Sequence, residues 1–177
     1  MEKGLIQVYT GNGKGKTTAA VGQAIRAMGR KWKVMIVYFL KKEGTSGEME
    51  ILKKLGAKVL SWGGEYGRKL ITGTPLKNIE KIREEGKDFL IKIKDRIKEE
   101  KYNLLIMDEL NVALHYGLIE EKEILDFLKE KPVYLEIILT GRGALQKIIN
   151  MADLVTEMKK IKHPHDKGIK MRKGIEY

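Results

Sequence analysis

Eight consecutive residues, Gly11-Asn12-Gly13-Lys14-Gly15-Lys16-Thr17-Thr18, carry the clearest chemistry in this 177-residue chain. They follow an apolar run and precede an alanine-rich segment. A strand, a glycine-rich turn and a helix in succession form the context in which a phosphate-binding loop is credible. Glycines let the backbone curl so that successive N–H groups point inward, and the following helix adds the positive end of its dipole. Lys16 supplies a point charge for phosphate oxygens, and the Thr17 hydroxyl is suited to a Mg²⁺ ion. The spacing is one residue short: three residues separate Gly11 from Gly15 where the common pattern has four. In the segment LLIMDEL four apolar residues are followed by Asp108-Glu109, the kind of acidic strand end that holds Mg²⁺ beside such a loop. Arg142, in LTGRG at another strand end, is placed to neutralise phosphate. Together these residues describe a site for a metal-bound nucleotide, but not a reaction.

The elements that must position them follow from periodicity. GLIQVY, KVMIVYFL, AKVLSW, NLLIMDEL, VYLEIILTGR and ADLVTEM read as strands. KVMIVYFL and NLLIMDEL are near-continuous apolar runs, as expected of strands buried on both faces. Helices are predicted over Lys16–Met28, GEMEILKKLG, EEKEILDFLKEK and GALQKIINM. A long helix is predicted to open at TGTPLKNI, with Thr74 as N-cap and Pro75 in the first helical position. Its apolar residues Leu76, Ile79, Ile82, Phe89, Leu90, Ile93 and Ile97 keep helical spacing. Strands alternate with helices throughout, which predicts an α/β fold with a mostly parallel sheet covered on both faces. The acidic strand is expected beside the loop strand. No internal repeat or linker breaks the chain, so residues 1–177 read as one domain. The basic tail from Lys159 has no strong periodicity.

Composition narrows the classes. The apolar fraction is 42% and the charged fraction 33%, a globular balance. The longest apolar runs are far short of a membrane span, and the N-terminal residues lead directly into the loop without a signal-peptide pattern, so a cytoplasmic location is expected. There are no cysteines, which excludes disulfides, thiolate metal sites and thiol nucleophiles. The net charge of +11 would suit a polyanion. The lysines are interleaved with glutamates, however, as on a solvated helix face, and no basic groove with interleaved aromatics is visible. Nucleic acid is therefore not the expected partner.

The blocks VYTGNGKGKTTAAVG, VYFLK, MDELNVALHYGLI, ILTGRG and MADLVTEMKKIKHPHDKGIKMRKGIEY occur in the order found in the phosphate-loop type of ATP:corrinoid adenosyltransferases, and the chain resembles that family over nearly its whole length. The resemblance implies a P-loop, RecA-like fold and transfer of the 5′-deoxyadenosyl group of ATP to the Co(I) centre of a reduced corrinoid, releasing triphosphate. It implies ATP as co-substrate, Mg²⁺, a homodimer, and a flavoprotein that reduces Co(II). Co(I) is a strong nucleophile, so the protein's expected contributions are orientation and stabilisation of the leaving group, the latter by Lys16, Asp108 and Glu109. A loop that holds the triphosphate and presents the sugar carbon gives the shortened spacing a purpose.

The same resemblance adds Arg26 as a nucleotide contact on the loop helix and Asn111 and His115 on the corrinoid side. Family members commonly displace the lower cobalt ligand with a Phe-x-Trp pair after the third strand. The matching residues here are Gly64-Glu65-Tyr66, with Trp62 just before, so Tyr66 or Trp62 is expected against the corrin face. His165 stands where Phe is usual. Relatives often cover the corrinoid with a longer N-terminal arm. Two other readings remain at this point: a nucleic-acid-stimulated ATPase with Glu109 as base, and a regulator that binds ATP and corrinoid without turnover.

Overall fold

A computed structural model describes residues 3–176. Its single six-stranded sheet is parallel throughout, in the order β3-β2-β4-β5-β1-β6. The strands are β1 Ile6–Thr10, β2 Val34–Lys41, β3 Lys58–Gly63, β4 Leu104–Asp108, β5 Glu136–Thr140 and β6 Leu154–Glu157. The helices are α1 Lys16–Gly29, α2 Gly47–Lys54, α3 Gly64–Thr72, α4 Ile79–Glu100, α5 Leu110–His115, α6 Glu121–Lys129 and α7 Gln146–Met151. The predicted α/β alternation is thus met.

Side-chain alternation splits the core into two layers. Met35, Val37, Phe39, Leu105, Met107, Ile137 and Leu139 share one cluster with α4 residues Leu90, Ile93 and Ile97 and α6 residues Ile124, Phe127 and Leu128. Val34, Ile36, Tyr38, Leu104, Ile106 and Ile138 face the other way, against Ala20 and Ala24 of α1 and Met49 and Leu52 of α2. A strand buried on both faces has no room for a polar stripe, which is why β2 and β4 read as unbroken apolar runs. Small alanines let α1 lie close to the sheet and bring its N-terminus over the strand ends.

Two expectations need correction. Asp108 does not lie on the neighbour of the loop strand: β5 is inserted between β1 and β4. The insertion makes the end of β5 part of the site. The long helix also does not start at Thr74-Pro75. α4 begins at Ile79 after Asn78 in left-handed backbone, and α3, which periodicity did not show, precedes it. The Thr74 hydroxyl lies 2.9 Å from that of Thr72, within hydrogen-bonding distance, and does not cap a helix. Nine residues split by two glycines are too few for helical periodicity to stand out, so α3 depends on packing: Tyr66 meets Ile82 and Leu118 in a small third cluster.

Candidate nucleotide site

The carboxyl ends of the four inner strands β2, β4, β5 and β1 and the N-terminus of α1 converge at one edge of the sheet, where open α/β sheets bind ligands. The loop leaves β1 at Thr10. Gly11 (φ 93°) and Gly15 (φ 114°) take left-handed conformations that side chains resist. Lys16 is buried and its Nζ folds back to donate to the carbonyls of Gly11 and Gly13, at 2.8 and 2.7 Å. Burial pushes the Lys16 amine below its ordinary range, and Arg142 pushes the same way, against the pull of Glu109 and Asp108. A bound polyanion is the natural counter-charge for it.

One detail of the loop departs from the expected inward curl. The Gly13 N–H donates to the carbonyl of Met158, just past β6, at 2.6 Å. A Cβ on Gly13 would sit 2.6 Å from that same oxygen. The shortened loop is therefore laced to the strand beyond it, and this amide is not one of those facing inward.

Asp108 is the hub. It is 1% exposed. Its Oδ1 accepts from the hydroxyls of Thr17 (2.8 Å) and Thr140 (2.7 Å), and its Oδ2 pairs with Lys41 Nζ at 2.8 Å. Thr140 also accepts the Glu109 N–H at 3.0 Å. Burial alone would lower the Lys41 amine, but Asp108 outweighs it and holds the amine above its usual value. Glu109 sits in left-handed backbone (φ 59°), and burial, then the charge of Asp108, raise its carboxyl above the ordinary range.

The donor set fits Mg²⁺. Mg²⁺ is usually held by one or two carboxylates together with phosphate oxygens and water, not by an all-protein cage. Thr17, Asp108 and Glu109 offer hard oxygen donors beside the loop, and no cluster of three or more His, Asp or Glu able to cage a metal occurs among the described residues.

A cavity of about 890 Å³ opens from the loop. Asn12, Lys14, Thr18, Lys41, Glu109 and Arg142 line one side, and the tail lines the other with His163, His165, Asp166, Met171, Ile175 and Glu176. The tail is tied down by Lys14, whose Nζ donates to Ile175 O at 3.1 Å and pairs with Glu176 at 2.9 Å. Glu176 also accepts from Arg172, and these partners hold its carboxyl down at about 2.

Other expected contacts fall elsewhere. Arg26 is exposed and donates to Gln23 at 3.4 Å; ten residues of helix put it about 15 Å along α1 from Lys16. Asn111 is wholly buried, and its Nδ2 donates to Gly141 O at 3.3 Å, so it supports the turn that carries Arg142. Tyr66 is 8% exposed with its hydroxyl on Glu85 at 2.6 Å. Trp62 stacks on Phe89 and meets Phe39 and Tyr66 edge-on. Neither aromatic lines the cavity; both sit in a packed cluster with Phe39 and Phe89. Of the four residues expected on the corrinoid side, His115 alone is exposed, edge-on to Tyr116 at 5.3 Å and next to Gly143.

Sequence reasoning missed Lys41, Thr140 and the tail wall. The signal for the first two was present: each is the polar residue that closes an apolar strand run, as Asp108 is.

The family model described as ATP:corrinoid adenosyltransferase BtuR/CobO/CobP matches residues 2–177. A corrinoid adenosyltransferase of Sinorhizobium sp. is 37% identical over 99% of this chain and 81% of its own length. One from Escherichia coli K12 is 34% identical over 99% and 87%. In the fold alone, a KaiC-like protein from Pyrococcus horikoshii OT3 superposes with a TM-score of 0.57 at 19% identity, over 91% of this chain and 75% of that one. The fold and site define an α/β phosphate-loop protein. The chain belongs to the ATP:corrinoid adenosyltransferase family.

Proposed function

We propose that this enzyme holds MgATP with its triphosphate on the loop and its ribose C5′ turned toward a reduced corrinoid. The Co(I) electron pair forms the new bond to C5′ as the C5′–O bond breaks, and the electron pair of that C5′–O bond leaves on the triphosphate oxygen. The observation that carries the reading is the convergence on Asp108: a hydroxyl from the loop helix and an amine from β2 meet one buried carboxylate beside a folded-in Lys16.

Each residue then has a task. Lys16, Lys14 and the loop amides other than that of Gly13 take up the charge that develops on the leaving triphosphate. Gly11, Asn12, Gly15 and Thr18 shape and line the loop. Thr17, Asp108 and Glu109 hold Mg²⁺, which when bound neutralises phosphate charge. Arg142 faces the same cavity, and Asn111 fixes the turn beneath it. His115, near that turn, borders the corrinoid side. The enzyme works as a homodimer in the cytoplasm and draws electrons for Co(II) reduction from a flavoprotein; family membership supports these three assignments. No helix among the described residues is long and apolar enough to cross a membrane.

The test is anaerobic. The protein is mixed with MgATP and chemically reduced cob(I)alamin while the visible spectrum and free triphosphate are followed. A light-sensitive adenosylated product with stoichiometric triphosphate is expected. Bound ATP with phosphate release and no cobalt–carbon bond would sink the reading.

A further inference from the structure

The end of β2 contains an irregularity that the nucleotide reading has not used. β2 pairs with β3 in register from Met35↔Lys58 to Phe39↔Trp62, then resumes at Lys41↔Gly63, leaving Leu40 unpaired. Leu40 is a bulged residue with φ 60°, a conformation that a leucine adopts only under constraint. The bulge has a consequence for every residue after it. Along β2 the odd positions Met35, Val37 and Phe39 face the α4–α6 layer, and the even positions Val34, Ile36 and Tyr38 face the α1 layer. Without the bulge, Lys41 would point with Phe39, away from the loop. One inserted residue flips it to the other face. Its Nζ accordingly lies 5.2 Å from the centroid of the Tyr38 ring and 2.8 Å from Asp108 Oδ2.

The bulge is held from outside. α3 docks on it glycine first: an added Cβ on Gly67 would collide with the Leu40 carbonyl oxygen, and one on Gly64 would stand 2.6 Å from Lys42 N. Strain maintained by a dedicated support at a strand end is a feature of functional sites. The Lys41 side chain stays 26% exposed and lines the cavity together with the loop.

We propose that Lys41 is a second triphosphate-binding lysine, placed by the β2 bulge to bridge Asp108 and the phosphate oxygens across from Lys16. The proposal rests on the adenosyl-transfer reading for its substrate. As the C5′–O bond breaks, the electron pair stays on the departing oxygen, and Lys41 shares the resulting negative charge with Lys16 without giving up a proton. Its simplest rival is a lysine that does no more than neutralise Asp108.

Calorimetric titration with inorganic tripolyphosphate, without corrinoid, separates the two. K41Q is expected to weaken tripolyphosphate binding at least ~10-fold, the usual size of a charge-assisted contact, both with Mg²⁺ and in EDTA. K41R should retain most of the affinity. Should K41Q fail to fold, K41Q/D108N is compared with D108N alone, and the same loss is expected. Affinity within about twofold of the parent in K41Q, or of D108N in the double variant, overturns the proposal and leaves a structural ion pair. The cob(I)alamin assay on the unaltered protein fails or succeeds independently: Lys41-dependent tripolyphosphate binding without adenosyl transfer would sink the functional reading and leave this one standing.

Discussion

Glu109 combines two unfavourable circumstances, left-handed backbone and a carboxyl whose ionised form is opposed by burial and by Asp108. Because its pKa is raised in the folded protein, ionisation at neutral pH costs stability. The cost is absent below the ordinary carboxylate range and appears as pH rises through the raised value. E109Q should therefore melt higher than the parent at about pH 7 and no higher at about pH 4, measured by thermal denaturation across that range. The same variant should lose adenosyl transfer if its carboxylate holds Mg²⁺, and higher added Mg²⁺ should restore part of it. Lys16→Ala should lower kcat/KM by roughly 100-fold or more, the scale of losing one preorganised charge-stabilising contact, with the chain still folded by circular dichroism. Unchanged kcat/KM would remove Lys16 from the mechanism. The loop and Asp108 were legible from sequence because glycine spacing and an acid at the end of an apolar run are local signals. Lys41 and Thr140 were harder to see, because their role depends on which strands the sheet places side by side and on one bulged residue.

The elements divide along the same line. β2, β4 and α1 announced themselves through runs and periods longer than a turn. α3 did not, and it is the element that secures the bulge. Gly67→Ala should therefore act at a distance: pushing α3 off Leu40 should lower Tm and also weaken tripolyphosphate binding, although residue 67 does not line the cavity. A fall in Tm with unchanged affinity would show that α3 stabilises the fold without positioning Lys41. Tyr66 belongs to the same unit. Its ring packs with Trp62, Ile82 and Leu118, so Tyr66→Ala should cost about 3–5 kcal/mol of stability, as large aromatic truncations in cores do. It should slow reactions from Co(II) and from supplied Co(I) alike. A selective loss of the Co(II) reaction would restore Tyr66 as a residue that displaces the lower cobalt ligand.

At the scale of the molecule, the site is closed by sequence from opposite ends: the loop near the beginning and the tail wall between His163 and Glu176. The tie is the Lys14–Glu176 pair, with 44% and 17% of the two side chains exposed. Such pairs contribute little to global stability, so Glu176→Gln should leave Tm within about 2 °C. It should still speed proteolytic cleavage of the tail, and ATP should no longer compete with a carboxylate for Lys14. An unchanged cleavage rate would show that the tail is held by other contacts.

The insertion of β5 beside β1 also sets a timetable. β1 carries the phosphate loop, yet among the described residues its partners in the sheet are β5 and β6. During synthesis the loop strand therefore has no neighbour until residues 136–140 have emerged, while β2, β3 and β4 can already pair among themselves. Non-local pairing of this kind is slow, because the intervening chain must first be closed into a loop. The phosphate loop, which precedes both of its strand's sheet partners in the chain, is among the last parts to be built. A nascent chain halted after β4 should carry the whole Gly-Lys-Thr-Thr sequence and bind no ATP.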